Sequence, residues 1–593
     1  MEAEQMERAR MDVDIVCVGF GPATGGFLTT ISRGIPLEDG RFPTVICYER
    51  ADDIAFGVSG VVTKARGIRV SFPELNPAEI PMAVPVKKEE VFYLLDPVGA
   101  SRRSRTLRAA DAALRVSDGL MKKEAFRLPY IPPFLEKHGG MVMSIGQFNQ
   151  WVGQQIMMTG AAQIWPSTPV AAPVIEGNAV CGVQLADQGV NLKGEPTEAF
   201  QPGMEIRAPL TVVGDGPVGP VGRALDERFG LPEGHEQREW AVGMKMVIDL
   251  PEGCPLEAGT VYHTFGYPEP EIFGFFYVHP ENVASVGIFI PSWMENPVRT
   301  SYRYLQHYIL HPFLWQYLEG GRLRSWGAKS LNESGRRGEP HLAGDGWARI
   351  GEGSGSTNVL AGSGVDEAWT TGVQLGEAVL ELWREGAPFT KENLERTYVA
   401  RRRASWLEEE GRVAEHSRDG FHRGVVPGML GMALAGFSGG KLRVPGTPHE
   451  HLPSVSDFFG DRIPAQELEA IKQEAAVKGE ALHDALMNRC GWPEIPYDGQ
   501  LLMTQQDALL LGGKVQAAAG YADHIRFREE TVCIGCGSKT CIEICSAQAL
   551  TPGESTPAFD REKCIHCGAC IWNCDFQNVE FRAGAGGLHS AEN

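Results

Sequence analysis

The sequence predicts an α/β protein in three parts: a nucleotide-binding βαβ body, an antiparallel sheet inserted into it, and a small cysteine-rich domain at the C-terminal end. Three observations predict this. The chain opens with a buried-strand run, Asp14 to Gly19, that stops in a glycine turn and continues as a helix to about Arg33. Between 240 and 330, aromatic and β-branched side chains alternate (VYHTFGY, IFGFFYV, SVGIFI), the period of antiparallel strands. Eight of the thirteen cysteines crowd between Cys533 and Cys574.

With 593 residues there is material for three or four domains, and 43% hydrophobic residues supply an ample core. The 55 Lys+Arg against 75 Asp+Glu give a formal charge of −20, which argues against a nucleic acid as main partner. No run reaches the roughly 18 apolar residues of a spanning helix. The opening MEAEQMERARMDVDIVCVGF lacks the order of a signal peptide and is too acidic for a transit peptide. A cytosolic address with reduced thiols is the expectation, so the cysteines need an explanation other than disulfides.

The opening turn reads Gly19-Phe-Gly21-Pro-Ala-Thr24-Gly25-Gly26. Such a turn lets backbone N–H groups and a helix N-terminus meet a pyrophosphate. Gly19 and Gly21 take the first two positions, and Thr24 stands where a third small residue is usual. Gly25 and Gly26 are expected to relieve the helix–strand contact. The second strand, Pro43 to Arg50, ends in Glu49, placed to accept bonds from ribose hydroxyls, with Arg50 beside it. Its distance from Gly19 is long, and Gly34 to Pro43 reads as a loop insertion. Two later strands stop at Gly214-Asp215-Gly216 and Gly351-Glu352-Gly353. A glycine turn alone occurs in many α/β proteins. Three strand-end turns converging on one ligand point to FAD, which is long enough to need them. No second unit of this kind appears, so no separate NAD(P) site is evident.

Cys564-x2-Cys567-x2-Cys570-x3-Cys574 has the spacing of a [4Fe–4S] run, whose fourth cysteine reaches a second cluster. Cys533-x2-Cys536-x4-Cys541-x3-Cys545 is the same run with two extra residues, so its turn is expected to bulge at Gly537-Ser538-Lys539. The crossing rule gives one set of Cys545 with Cys564, Cys567 and Cys570, and another of Cys574 with Cys533, Cys536 and Cys541. Zinc and disulfides are the alternatives; zinc normally uses separated pairs. Cys17, Cys47, Cys181, Cys254 and Cys490 read as small buried apolar residues.

Residues 391–418 read as one long charged helix, and 464–488 as an amphipathic one. Gly424 to Gly440 carries no charge and lies between Arg423 and Lys441. It suits either a segment in lipid headgroups or a buried glycine-rich helix. Arg102, Arg103, Arg105, Arg108 and Arg401 to Arg403 suit anionic lipid, an acidic partner, or an ordinary surface. His263 and His279 read as satisfied structural histidines.

In order along the chain, GVSGVV (57–62), HGGMVMSIGQFNQWVGQQ (138–155), VGDGPVG (213–219), GSTNVLAGSG (355–364), DGQLL (498–502) and GAGG (584–587) resemble a family. It is the electron-transfer flavoprotein–ubiquinone oxidoreductases, together with bacterial relatives whose ferredoxin-like subunit is a separate chain. The resemblance implies a FAD-binding Rossmann-like (glutathione-reductase type) domain over 1–239 and 336–420, with an inserted antiparallel-sheet quinone domain at 240–335. It further implies a membrane-surface segment with linker helices at 421–520 and a ferredoxin-like [4Fe–4S] domain at 521–593. Its single cluster matches Cys545, Cys564, Cys567 and Cys570. Its cofactor site takes in Thr357 and Asn358. Its membrane-dipping segments match roughly 57–80 and 424–440. The family's Gly-Gly at the quinone ring matches Phe273-Gly274, and a flavin-contacting Arg matches Ser144. The further cysteines resemble the ferredoxin-like subunit fused onto the flavoprotein. Implied, then, is peripheral attachment to the cytoplasmic face of a bacterial inner membrane. There, electrons would pass from a reduced electron-transfer flavoprotein through [4Fe–4S] and FAD to a quinone. A flavin-dependent reductase of isoprenoid double bonds and an electron-wire subunit of a bifurcating complex are the alternatives. No acid–base catalytic residue is identified.

Overall fold

The computed structural model describes residues 7–34, 43–54, 60–116, 121–449, 451–513, 515–582 and 586–588. Positions 35–42 of the expected insertion, Gly57 to Ser59, and Gly584 and Ala585 lie outside them.

Runs such as IVCV, VICY and LTVV are buried at every position, and almost wholly apolar, because both faces of a parallel sheet are covered. Five parallel strands stand in the order Gln163–Trp165, Val45–Tyr48, Ile15–Val18, Leu210–Val213, Trp347–Arg349, with Ala343–Gly344 antiparallel at the edge. Helix Pro22–Ile31 packs on helix Val365–Glu385. Glycines set that approach: a Cβ at Gly26 would lie 2.5 Å from the Trp369 carbonyl oxygen, and one at Gly372 only 1.8 Å from that of Ala23. Gly25 faces the Trp369 ring and Val152. Gly26 therefore relieves a helix–helix contact, where a helix–strand contact was expected.

The alternating segments form an eight-stranded sheet in the order Arg322–Asn332, Trp240–Asp249, Val283–Pro291, Phe273–His279, Thr260–Phe265, Lys88–Leu94, Ala125–Arg127, Met121–Lys122. One face packs Val242, Met244, Met246 and Phe276 onto Tyr308 and Leu314 of helices Tyr302–Ile309 and Pro312–Leu318. The other carries Val261, Phe275 and Tyr277 against Val62 and Val142. Three of its strands come from 88–127, outside the span 240–335, and Lys88–Leu94 joins by parallel pairing with Thr260–Phe265.

The charged segment 391–418 is not one helix. It runs from Lys391 to Arg403 with a π-helical stretch at Glu395–Val399, breaks at Ala404 and Ser405, and resumes at Trp406–Ala414. Arg402 and Arg403, both bonded to Glu339, hold the first piece against the neighbouring turn. The amphipathic segment is two helices, Ala465–Lys478 and Leu482–Arg489, parted at Gly479, which is left-handed at φ 68°.

Helix Val425–Ser438 turns Gly428, Gly431, Met432 and Ala435 inward, yet leaves Val426, Leu430 and Phe437 at 60%, 54% and 66% exposure. An apolar face open to solvent is what separates it from a buried core helix. Among the described residues no helix is long and apolar enough to cross a membrane. The C-terminal domain contains the strand pairs Ile525–Phe527 with Val579–Phe581 and Leu550–Thr551 with Ala558–Phe559, and its Gly586–Leu588 pairs back onto Val515–Ala517. Short helices Glu530–Gly535, Thr540–Glu543 and Ala569–Trp572 join them.

Candidate redox site

The three glycine turns meet at the C-terminal ends of the adjacent strands Ile15–Val18, Leu210–Val213 and Trp347–Arg349. Gly19 is left-handed (φ 82°), and a Cβ there would stand 2.8 Å from the Gly214 carbonyl oxygen, so two of the turns touch. Gly21 precedes helix Pro22–Ile31, and a side chain on it would meet nothing within 4 Å. Gly216 (φ 78°) has the same open space. Bare backbone facing open space at a helix N-terminus fits a pyrophosphate.

The acids hold the frame. Glu49 accepts from the Phe20 N–H (2.7 Å) and the Ala51 N–H (2.9 Å), tying the second strand to the turn. Thr24 is fully buried and donates its hydroxyl to the Gly19 carbonyl (2.7 Å), bracing the turn from inside. Asp215 accepts from the Val221 and Gly222 N–H groups (2.9 and 3.1 Å), and burial pushes its carboxyl up to about 6. Glu352 accepts from the Asn332 N–H (2.9 Å), joining the third turn to the large sheet; burial pushes it up to about 7. Gly351 donates its N–H to the Thr371 hydroxyl (2.8 Å). Thr357 lines a polar cavity with Ser356, Glu367, Arg402 and Glu410. Asn358 donates to Glu410 (3.0 Å) and accepts from the Ala361 N–H (3.1 Å). Ser144 accepts from the Gln147 N–H (3.4 Å) and caps helix Ile145–Thr159.

Phe273 and Gly274 begin a strand of the large sheet. Phe273 is half-buried, edge-on to Phe421 at 6.0 Å between ring centroids. Gly274 turns to the helix side, where a Cβ would fall 2.5 Å from Thr264 Oγ1 and 2.6 Å from Tyr308 Oη, two hydroxyls bonded at 2.7 Å. Its bareness accommodates that pair. His263 bonds Glu89 (2.8 Å), and His279 bonds the Met82 carbonyl (3.0 Å) and Ser285 (2.8 Å).

Eight cysteines gather in two groups of four. Burial, then Cys567, pushes the Cys545 thiol up to about 11; Cys570 is pushed up by burial and by Cys567, Cys545 and Cys564. Burial, then Cys574, Cys533 and Cys536, pushes Cys541 up to about 12. The leading neighbours of each of these thiols come from its own crossed set, and Cys541 is a smaller neighbour of Cys570. A cavity lined by Cys545, Cys564, Cys567, Cys570, Leu550 and Phe581 lies within the first, and thiols converging on an apolar cavity suit an iron–sulfur group. In the second, the chain turns between Cys536 and Cys541 through Lys539 at φ 44°, whose N–H points at Cys536 Sγ (3.4 Å). The left-handed residue is Lys539; the glycine expected to make the bulge, Gly537, is not.

The first set is fastened to both other parts of the molecule. Arg50 Nη1 meets His566 Nδ1 at 2.7 Å, and His566 sits between Cys564 and Cys567. His524 Nε2 lies 3.1 Å from Cys564 Sγ, with its ring 3.7 Å from that of His566. On the large sheet, the Ser330 N–H donates to the Cys567 carbonyl (2.7 Å), and Trp572 Nε1–H donates to the Ser330 hydroxyl (2.8 Å). Burial pulls neighbouring Lys329 down to about 8, and Arg50 adds to this; Glu352, Glu49 and Cys567 oppose it. Sequence reasoning placed Arg50 in the cofactor site but missed His524, His566, Lys329 and Ser330. Only His566, inside a CxxC, carried a local signal.

Residues 240–331 match the family model described as ETF-QO, ubiquinone-binding, and 556–579 match a 4Fe-4S binding domain. The electron transfer flavoprotein-ubiquinone oxidoreductase of Pseudomonas aeruginosa is 27% identical over 76% of this chain and 78% of its own length. A probable enzyme of that name from Acinetobacter baylyi is 24% identical over 98% of both chains. The mitochondrial protein of Oryza sativa subsp. japonica is 25% identical over 98% of this chain and 92% of its own. Among solved structures, a geranylgeranyl bacteriochlorophyll reductase-like protein from Thermoplasma acidophilum superposes with TM-score 0.49 at 14% identity, covering 78% of this chain and all of the other. The chain is thus similar to the electron transfer flavoprotein–ubiquinone oxidoreductases over most of its length, an oxidoreductase with a 4Fe-4S binding domain towards its C-terminal end.

Proposed function

We propose that the protein passes electrons from a reduced electron-transfer flavoprotein, through two [4Fe–4S] clusters and FAD, to a membrane quinone. The observation that carries this reading is the fastening of the first cysteine set to the glycine-turn body at Arg50 and to the ubiquinone-binding sheet at Ser330. Iron–sulfur clusters move single electrons, and a flavin stores two before a quinone leaves reduced. The residues' own work is placement. Gly21 and Gly216 leave room for the dinucleotide, Gly19 lets their two turns meet, Glu49 faces its ribose, and Cys545, Cys564, Cys567 and Cys570 hold the inner cluster. Cys533, Cys536, Cys541 and Cys574 hold an outer one. Phe273, on the face away from the helices, marks the quinone side of the sheet, with Gly274 next to it in the strand.

Attachment to the membrane is peripheral, at the cytoplasmic face of a bacterial inner membrane. The exposed Val426, Leu430 and Phe437 support it, since an apolar helical face beside Arg423 and Lys441 suits the headgroup region. The test is quinone reduction by purified protein given a reduced flavoprotein donor. Turnover with donor and quinone alone is expected; turnover only inside a larger complex would replace this reading with that of an accessory wire.

A further inference from the structure

The ammonium of Lys329 sits in a place that neither a surface lysine nor a core residue would choose. It lies on strand Arg322–Asn332, opposite Gly243 of the next strand, so no larger side chain shares its row on that side. Among the described residues its ammonium makes no hydrogen bond or ion pair. The strand just after it is stitched down twice: Ser330 N–H to the Cys567 carbonyl, and Asn332 N–H to Glu352. Lys329 therefore stands where the inner cysteine set and the strand-end acids Glu49 and Glu352 come together, with Arg50 as the neighbouring cation. Arg50 is already engaged by His566.

Elementary electrostatics says what such a cation is for. A cluster held by four thiolates and a pyrophosphate are both anions, and each electron added to the cluster adds one more negative charge. In a partly desolvated site that charge is poorly screened, so a single cation nearby changes the equilibrium strongly. We propose that Lys329 is a charge-compensating positioning residue between the dinucleotide phosphates and the inner cluster, and that it raises the inner cluster's affinity for an electron. The proposal rests on the reading that a flavin dinucleotide and an inner cluster occupy these sites.

The experiment is an anaerobic redox titration of the full-length protein followed by EPR, for wild type, Lys329→Gln and Lys329→Arg. Flavin and iron contents are measured on the same samples. Lys329→Gln is expected to weaken electron binding by the inner cluster tenfold or more, about 59 mV for one electron. The outer cluster should shift far less, and Lys329→Arg should stay near wild type. An unaltered inner potential, an equal fall at both clusters, or an arginine variant as low as the glutamine one would overturn the proposal. Loss of flavin in Lys329→Gln with an unaltered inner potential would overturn it too. Should the glutamine variant not accumulate, Lys329→Met is read by the same criteria. Failure of the underlying reading looks different: wild-type protein would then lack flavin or iron before any variant is made.

Discussion

The two cysteine sets share nearly the same spacing but not the same surroundings. The inner set is enclosed, with His524 against Cys564, Arg50 against His566 and the edge of the large sheet against Cys567. The outer set is held within its own small domain: Asn578 donates its side-chain N–H to Cys533 Sγ (3.1 Å) and its backbone N–H to Cys574 Sγ (3.3 Å). Ile534 and Phe576, beside its ligands, are 63% and 58% exposed. Spacing decides that a cluster is held; the neighbours decide with what it exchanges electrons. An enclosed set fastened to the cofactor body suits delivery inward. A set flanked by exposed apolar side chains suits exchange with another molecule.

The sharpest way to break this comparison is to remove one ligand from each set. Cys564→Ala should abolish electron flow to quinone, since the inner set is the one joined to the cofactor body. Cys574→Ala should leave the inner set intact. Wild-type protein should hold roughly eight irons and the second variant about half. Four irons in wild type, or an unaltered count in Cys574→Ala, would make the outer cysteines bystanders.

A comparable loss is expected at the cofactor turn. Gly21→Val places a branched side chain in the open space above the helix N-terminus, where the backbone must meet the phosphates. Flavin content should fall at least tenfold while iron stays, as read from absorbance and iron analysis of one sample. Full flavin retention would mean the dinucleotide lies elsewhere. A more moderate effect is expected at the membrane face. Leu430→Asp with Phe437→Asp should weaken binding to liposomes of anionic lipid severalfold or more, without changing iron or flavin. Unchanged binding would return helix Val425–Ser438 to an interior role with an incidental apolar face.

These sites differ in how far the sequence reveals them. The glycine turn and the cysteine groups are legible because their constraints are local: a left-handed residue at Gly19, a bare one at Gly21, and thiols spaced to close on one cube. The junction is not legible, because its contacts are long-range. Arg50 and His566 are 516 residues apart, and Lys329 looks like any polar position of an alternating strand. Gly26 and Gly274 are conspicuous as glycines, but what forbids a side chain at each, the Trp369 backbone or the Tyr308 hydroxyl, appears only after folding. The same holds for 88–127, whose strands join a sheet that is mostly coded far downstream.

The smallest expected effect sharpens the contrast between the cluster domain and the large sheet, through pH. His311 donates Nε2–H to the Leu95 carbonyl (3.0 Å) and accepts at Nδ1 from the Phe313 N–H (3.2 Å), so its neutral ring is fully used and a second proton has no place. Burial pulls it down to about 4, and does the same to His279. An unfolded histidine titrates near 6.5. The folded state therefore binds fewer protons than the unfolded one as pH falls from about 6.5 towards 4. Stability from these residues is complete above that window and is lost on the way down, by at most about 1.4 kcal/mol per pH unit for each. Urea midpoints followed by tryptophan fluorescence at pH 7, 6, 5 and 4.5 measure the slope. His311→Gln keeps an amide donor for Leu95 but cannot titrate, so its slope between pH 6 and 4.5 should be shallower than that of wild type. Equal slopes would assign the acid sensitivity of the sheet to groups other than His311.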